Sequence, residues 1–394
     1  MKKYFIQIIF LLLYIKSGNA QSVNSVANGN WNNPNTWSCA CVPTSGFIIT
    51  INHQVTLNTN YSYSSGSIII AQNASLSDGH LGKNLTITGG TLANNGNIDV
   101  KQFTTQNGSF SNFGSIKASI FLNYLNFFNN GTFYEIDSIS NYALITNNGN
   151  FVNIGIINNS GIYTNNMKSE FIRLTNNGMI TNNNYMNVGT IYNNGMLTNR
   201  DSLLSTNNIL NEGRINNDSG ANLHVEKKLS NKSNTNFKAS IINNGYLKVI
   251  EHLSNYDTLS GATGYYEVQD TSTNYGYMAE TFTFCDHTPI SSSPYIDYNY
   301  GYVSPDISWC IATTIQDVSS NSINIYPNPA RSNVYIDIFP VSDFTLSIYD
   351  ALGNLISDFS NNNNIDLANY SNGIYLFEIT YGDQLQRLKI IVSK

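Results

Sequence analysis

Residues able to transfer protons, bind metals or attack as nucleophiles are thinly spread along this chain. His53 lies in a short apolar stretch, Ile48 to Leu57, and could ligate a metal or exchange a proton. No second His or carboxylate stands at ligand spacing, so a hydrogen-bonding role inside the fold is the better reading. Six acids, Glu267, Asp270, Glu280, Asp286, Asp297 and Asp306, are interleaved with Tyr265, Tyr266, Tyr275, Tyr277, Tyr295, Tyr298, Tyr300, Tyr302 and Trp309. Aromatic faces stack on sugar rings and carboxylates take hydroxyl hydrogen bonds or calcium, so this segment reads as a carbohydrate surface or as a cap whose tyrosines cover a last coil. Glycoside cleavage needs two carboxylates facing across a groove, and any two of these acids could be nominated. Arg200 with Asp201, and Glu212 with Arg214, are the only suggestive acid–base pairs before that segment, and surface ion pairing accounts for both. No nucleophile elbow, His-Glu-x-x-His helix or phosphate loop occurs. The expectation is no enzyme, with no catalytic residue, cofactor or metal.

Composition says what must hold such residues. Hydrophobic residues make up 41% of the 394 and charged residues only 11%, so solubility rests on uncharged polar groups. Asn is the commonest of these, with 28 Gly and 26 Tyr beside it, a mixture that suits stacked turns better than helices. The net charge of −6 with no basic cluster beyond Lys227 and Lys228 excludes a nucleic-acid partner.

Residues 1–20 carry Lys2 and Lys3, the apolar run Phe5 to Ile15, and the small ending Gly18, Asn19, Ala20. That is a signal peptide cut between Ala20 and Gln21, too short for an anchor, and nothing later is apolar enough to span a bilayer. In an exported chain four cysteines permit disulfides. Cys285 with Cys310 is the favoured pair; Cys39 and Cys41 are left as a strained local bridge or two thiols.

A repeat fixes the architecture. Asn-Asn-Gly-x-apolar, with one-residue variants, recurs at Gly96, Gly114, Gly131 and Gly149, then at Gly178, Gly195 and Gly213, and again at Gly245. Within each run the spacing is 17 or 18 residues. A turn signal followed by a short alternating strand at this period is one coil of a parallel β-solenoid. Gly would supply positive φ at the corner, and the stacked Asn would form an amide ladder. The gaps of 29 and 32 residues, Gly149 to Gly178 and Gly213 to Gly245, read as two coils each with altered turns. About nine coils between Leu92 and Ile250 make a rod of about 43 Å, right-handed by the crossover rule. The expected organisation is a cap with first coils at 21–100, the Asn/Gly coils at 101–260, a Tyr-rich cap at 261–312, a linker at 313–322 and a small domain at 323–394.

Before the regular repeat, Asn28-Gly29-Asn30-Trp31-Asn32, Thr36-Trp37, Val42-Pro43-Thr44-Ser45 and the His53 segment resemble the opening of Bacteroidetes β-solenoid proteins, similar to the G8-type module. Trp31 and Trp37 suit a cap over an open solenoid end.

After the linker, period-two alternation between Asn, Asp and Gly turns indicates an antiparallel sandwich of about seven strands. Tyr326-Pro327-Asn328-Pro329, then Tyr349-Asp350 with Gly353, then Gly373 with Tyr375, then the basic-apolar tail around Lys389 occur in that order. They resemble the type A C-terminal sorting domain of the Bacteroidetes type IX secretion system across 323–394. The resemblance implies Sec export, passage through the type IX machinery, and release or joining to surface lipopolysaccharide. Asp137 to Ile139, Asp201 to Leu203 and Asp257 to Leu259 also resemble the Asp-Ser/Thr-apolar acceptor of Bacteroidetes O-glycosylation. The leading expectation is an adhesive or structural surface or secreted solenoid. The alternatives are a polysaccharide-active β-helix enzyme and a module binding extracellular glycans through the Tyr-rich segment.

Overall fold

The computed structural model describes residues 21–234, 238–290, 293–310, 322–339, 343–381 and 384–394. The expected signal peptide with Ala20, and the linker apart from Ser322, lie outside the described residues. The chain divides into two compact units, Met1–Ala312 and Thr313–Lys394.

The first unit is a parallel β-solenoid with three faces. Among the described residues, face one is a sheet of fifteen strands, from Ser22–Asn24 to Tyr302–Val303. Pairing keeps equivalent residues in register, so Leu92 lies beneath Phe110 and Phe110 beneath Phe127. Alternation then sends every second side chain inward, and stacked inward rows make the core. Ile98, Ile116, Phe133 and Phe151 form one such row on face two, with the last two rings 5.0 Å apart. Six consecutive long strands, Asn97–Thr105, Ser115–Asn123, Thr132–Asn141, Asn150–Asn159, Ser169–Asn176 and Tyr185–Asn193, run along face two and continue onto face three without a break.

Two of the three corners carry buried amide ladders, where the repeat led us to expect one. At the first corner Asn94, Asn112, Asn129, Asn147, Asn165, Asn182, Asn199, Asn217 and Asn243 stack, each Nδ2 donating to the Oδ1 of the next coil at 2.7–3.0 Å. At the second, Thr105 donates to Asn123, and Asn123, Asn141, Asn159, Asn176, Asn193, Asn211, Asn231, Asn255, Asn274 and Asn299 continue at 2.7–2.9 Å. The remaining amide hydrogen typically reaches a backbone carbonyl, as from Asn182 to Ser202 at 2.9 Å. A buried amide with its donors and acceptor engaged carries no desolvation penalty left unanswered, which is why a nearly uncharged chain can bury this many of them.

The second ladder corrects the reading of the two long gaps. The 29 residues from Gly149 to Gly178 are the 12 to Gly161, within one coil from first corner to second, and the 17 from Gly161 to Gly178, one full coil. The Asn-Asn-Gly signature switches corner there, and between Gly213 and Gly245 it switches back.

The role of the corner glycines is corrected too. Gly96, Gly114, Gly131, Gly149, Gly178, Gly195 and Gly213 are absent from the positive-φ positions. A Cβ on Gly195 would instead overlap the carbonyl oxygen of Gly178 in the coil below, and one on Gly114 that of Gly96. Close approach of stacked turns demands glycine here, not left-handed backbone.

The Tyr-rich segment, expected to lie as a cap, continues the coil instead. Tyr265–Val268, Thr271–Asn274 and Tyr277–Met278 pair in parallel with the strands before and after them. At the other end Trp31 and Trp37 are buried at 5.0 Å between ring centres, with Trp37 Nε1 donating to Trp31 O at 2.8 Å, and Ser25 bridges back to Trp37 in an antiparallel contact.

The second unit has seven described strands. Ser322–Tyr326, Asn333–Phe339 and Asn364–Asp366 form one antiparallel sheet; Leu355–Ser360, Thr345–Tyr349, Gly373–Tyr381 and Gln384–Val392 form the other. Val334 and Ile365 from the first sheet and Leu346, Phe377 and Ile390 from the second share one apolar core.

Candidate functional site

The residues following the second-corner Asn face solvent, and their identities change along the solenoid. Tyr124 and Tyr142 stack at 4.6 Å, then Asn194 donates to Asn177, and towards the last coils Tyr256, Tyr275 and Tyr300 stack at 4.9 Å per step with planes 8° and 12° apart. Lys232 Nζ closes the lower end of that column, 5.6 Å from the Tyr256 ring centre. Tyr277 and Tyr302 begin face one beside it, 6.0 Å apart, and Tyr298 ends face three. All six are exposed, so the last coils present a tyrosine shelf on one corner. The rings of the main column use their faces on one another, and the shelf shows solvent ring edges and hydroxyls at the coil repeat.

A second constellation lies on face two of the same coils. Glu267 accepts from Tyr246 Oη, from Lys248 Nζ at 3.1 Å, and from His287 Nε2 at 3.3 Å. Burial alone would raise the Glu267 carboxyl, but the hydrogen bonds of Tyr246 and Lys248 hold it below the usual carboxylate range. Burial, then the bond to Glu267, pushes the Tyr246 phenol up. Cys285 follows Glu267 in register and is joined to Cys310, Cα atoms 5.1 Å apart. Tyr265 Oη lies 2.7 Å from Cys285 Sγ. Tyr246, Lys248 and His287 converge on Glu267, and the Cys285–Cys310 bond lies beside them, which describes a brace for the final coils. Cys39 and Cys41, left open above, form a local disulfide.

Behind that brace Asp286 is buried. It accepts from Ser272 Oγ and from Thr288 N at 2.9 Å, while Asp297 binds Ser272 N at 2.9 Å and Ile290 N at 3.1 Å. Burial raises the Asp286 carboxyl, and the nearby charge of Asp297 adds to the rise.

The third corner carries an open groove. Its larger part, about 600 Å³, is lined by Asp78, His80, Asp99, Lys101, Lys117, Ser119, Glu135 and Asp137 among others. The next part along the solenoid, about 450 Å³, is lined by Asn153, Glu170, Phe171, Ile172, Gly189 and Thr206 among others. Lys117 Nζ and Glu135 Oε2 pair at 2.5 Å, which raises the Lys117 ammonium. The first acid is spoken for: Asp78 accepts from the backbone N–H groups of His80, Lys83 and Lys101 at 2.9, 2.8 and 3.2 Å. Sequence reasoning missed this groove, because the charges that meet across it, Asp99, Lys117 and Glu135, lie one coil apart in the chain.

The sites named from sequence are dispersed. His53 Nδ1 lies 3.0 Å from Ser25 Oγ, the hydrogen-bonding role expected of it. Arg200 pairs with Asp218 of the next coil at 3.3 Å and not with Asp201, since coil stacking sets Arg200 beside Asp218. Glu212 accepts from Asn234 at 3.3 Å. Ser138, Ser202 and Thr258 of the three acceptor-like motifs are half-buried strand residues. Among the described residues no group of three or more His, Cys, Asp or Glu could hold a metal, and no helix is long and apolar enough to cross a membrane.

In the second unit the expected motif residues converge on two turns. Asn328, between Pro327 and Pro329, donates to Lys389 O and accepts from Ile391 N, both at 2.9 Å, which ties the Tyr326 turn to the last strand. Asp350 accepts from Leu352 N, Asn354 N and Asn354 Nδ2 at 2.8–2.9 Å while Gly353 takes φ +83°. Those bonds, the Asn354 side chain first, hold the Asp350 carboxyl below its usual range. Tyr375, two residues after Gly373, donates to Ser371 O at 3.0 Å.

Residues 324–393 match the family of secretion system C-terminal sorting domains. No curated protein matches the chain. The sorting domain marks the chain as a client of the type IX secretion machinery and as a secreted or cell-surface protein.

Proposed function

We propose that the solenoid is a non-enzymatic adhesive or structural rod, exported through the periplasm by a cleaved signal peptide and delivered outside the cell by its sorting domain. The tyrosine shelf carries this reading. Six exposed tyrosines within the last coils form a broad amphipathic contact surface, and aromatic residues of this kind dominate protein–protein and protein–glycan contacts at low entropic cost. The second-corner amide ladder beneath, through Asn255, Asn274 and Asn299, holds that surface rigid, so binding orders little further. Attachment to surface lipopolysaccharide after removal of the sorting domain fits the same picture, since an adhesin must be displayed.

The test immobilises the purified chain on beads and measures retention of bacterial cells and of insoluble polysaccharides, with release of reducing or unsaturated sugar ends scored in parallel. Retention without sugar release is expected. Replacing Tyr256, Tyr275 and Tyr300 together by Ser should lower it about tenfold or more, as loss of a hot-spot cluster does. Release of sugar ends by the wild-type chain, abolished in none of the tyrosine variants, would replace this reading by polysaccharide cleavage.

A further inference from the structure

The third corner is built unlike the other two. Where they turn on amide ladders, the six long strands bend through it unbroken, and the register slips there between Ile116 and Ile120 and between Phe151 and Ile154. Glu135 and Asn153, one above the other because Ile136 pairs with Ile154, both take left-handed backbone at φ 51° and 55°. Asn tolerates this conformation but Glu does not, so the backbone at Glu135 is strained, and both side chains are exposed at the groove. A Cβ on Gly155 or Gly189 would overlap the carbonyl oxygen of Asp137 or Ile172, so the bent strands stack closely here.

We propose that this elbow groove is a binding cleft for an extended, uncharged, hydroxyl-rich polymer: a linear neutral oligosaccharide. Its length suits a chain, for two adjoining stretches, lined from Asp78 to Asp137 and from Asn153 to Thr206, follow the elbow over eight successive coils, about 34 Å at the spacing of paired strands. Its charges alternate: Asp99 lies in register beside Lys117, Lys117 pairs with Glu135, and Lys101 and Asp137 flank them. Five acids, Asp78, Asp99, Glu135, Asp137 and Glu170, stand against Lys101 and Lys117, so the wall repels a polyanion, while its paired charges offer hydroxyl groups acceptors and donors in succession. Further along, Ile172 is 72% exposed and supplies an apolar surface for the C–H face of a sugar ring. An extended peptide is disfavoured because each strand of the elbow is paired on both sides, leaving no free edge to extend. This inference is independent of the tyrosine shelf.

The experiment is calorimetric titration of the full chain with β-1,4-linked hexasaccharides of glucose, mannose and xylose, and with hexagalacturonate as the charged probe. At least one neutral hexasaccharide is expected to bind with Kd of about 1 mM or tighter. That affinity should stay unchanged when salt is raised from about 0.05 to about 0.5 M. Ser119→Trp, which blocks the groove from an exposed position, should weaken it about tenfold or more, as should Glu135→Gln combined with Lys117→Met, while Tyr275→Ala leaves it intact. Unchanged unfolding midpoints certify that the variants fold. The proposal fails if no neutral hexasaccharide binds, if only hexagalacturonate binds and salt abolishes it, or if Ser119→Trp has no effect while Tyr275→Ala does.

Discussion

The solenoid and the sorting unit are both all-β, yet they bury different things. The sorting core is apolar, with Val334, Ile348, Ile365, Leu367 and Phe377 fully buried, whereas the solenoid buries a column of amides at each of two corners. An antiparallel sandwich closes its core once, and every element touches it. A solenoid closes its core coil by coil, and each coil is satisfied only by the next, so a residue that pairs with its own kind is the economical choice. Polar burial is safe there because the same side chain recurs in register.

Breaking one ladder position should therefore have the largest effect and the shortest reach. Asn182→Leu removes a donor to Asn199 and Ser202 and an acceptor for Asn165. It leaves buried groups unpaired and is expected to cost about 3–5 kcal/mol. Exchange protection should fall in the adjoining coils and stay intact in the sorting unit. Leu346→Ala should cost about 2–5 kcal/mol and open the whole sandwich together. Hydrogen-exchange mass spectrometry separates the two, and a uniform loss of protection along the solenoid after Asn182→Leu would contradict the one-dimensional account.

The brace on the last coils comes next. Cys285 and Cys310 close a loop of 25 residues, and replacing both by Ala should destabilise the final coils by about 3 kcal/mol. Cys39 and Cys41, two residues apart, close almost no loop, so their removal should cost far less. Denaturant unfolding monitored by tyrosine and tryptophan fluorescence reads both.

Glycine sharpens the comparison further. Gly195→Ala drives a methyl into the Gly178 carbonyl and is expected to cost about 2–3 kcal/mol. Gly353 has open space around it but φ +83°, so Gly353→Asn, a residue that tolerates left-handed backbone, should change stability by less than about 0.5 kcal/mol. If the two substitutions cost the same, the close-approach account of the solenoid glycines is wrong.

Legibility in the sequence followed the same divide. The period of 17 to 18 residues and the Asn-Asn-Gly signature disclosed the parallel coil, and the order of Tyr326-Pro327, Asp350, Gly373 and Tyr375 disclosed the sorting unit, because each signal is local. The second ladder escaped because its early members, Asn123 and Asn141, are followed by Tyr rather than by Asn-Gly. From sequence the tyrosines after Gly261 read as a cap or a carbohydrate surface because the Asn-Gly rhythm stops there, although Asn255 and Asn274 keep the ladder running to Asn299. The elbow groove was invisible for a different reason. Asp99, Lys117 and Glu135 are each 18 residues apart, and only the coil register makes them neighbours.

The smallest predicted effect distinguishes the units by the sign of a pH response. In the solenoid, Asp286 has a carboxyl raised above its ordinary value of 3.8 by burial. Its folded form holds a proton more readily than the unfolded chain does, so its contribution is fully present below about pH 4 and is lost as pH rises through the raised value. In the sorting unit, Asp350 is depressed below 3.8 by the Asn354 side chain and the turn amides. Its contribution is present above about pH 4 and is lost as pH falls through the depressed value. Between about pH 6 and pH 3 the last coils should gain protection relative to the rest of the solenoid while the Asp350 turn loses it, after correction for intrinsic exchange rates. Asp286→Asn should erase the first trend and Asp350→Asn the second. Trends of the same sign in both units would show that overall charge, and not these two carboxyls, governs the response, since an acidic chain titrating as a whole would shift every region together.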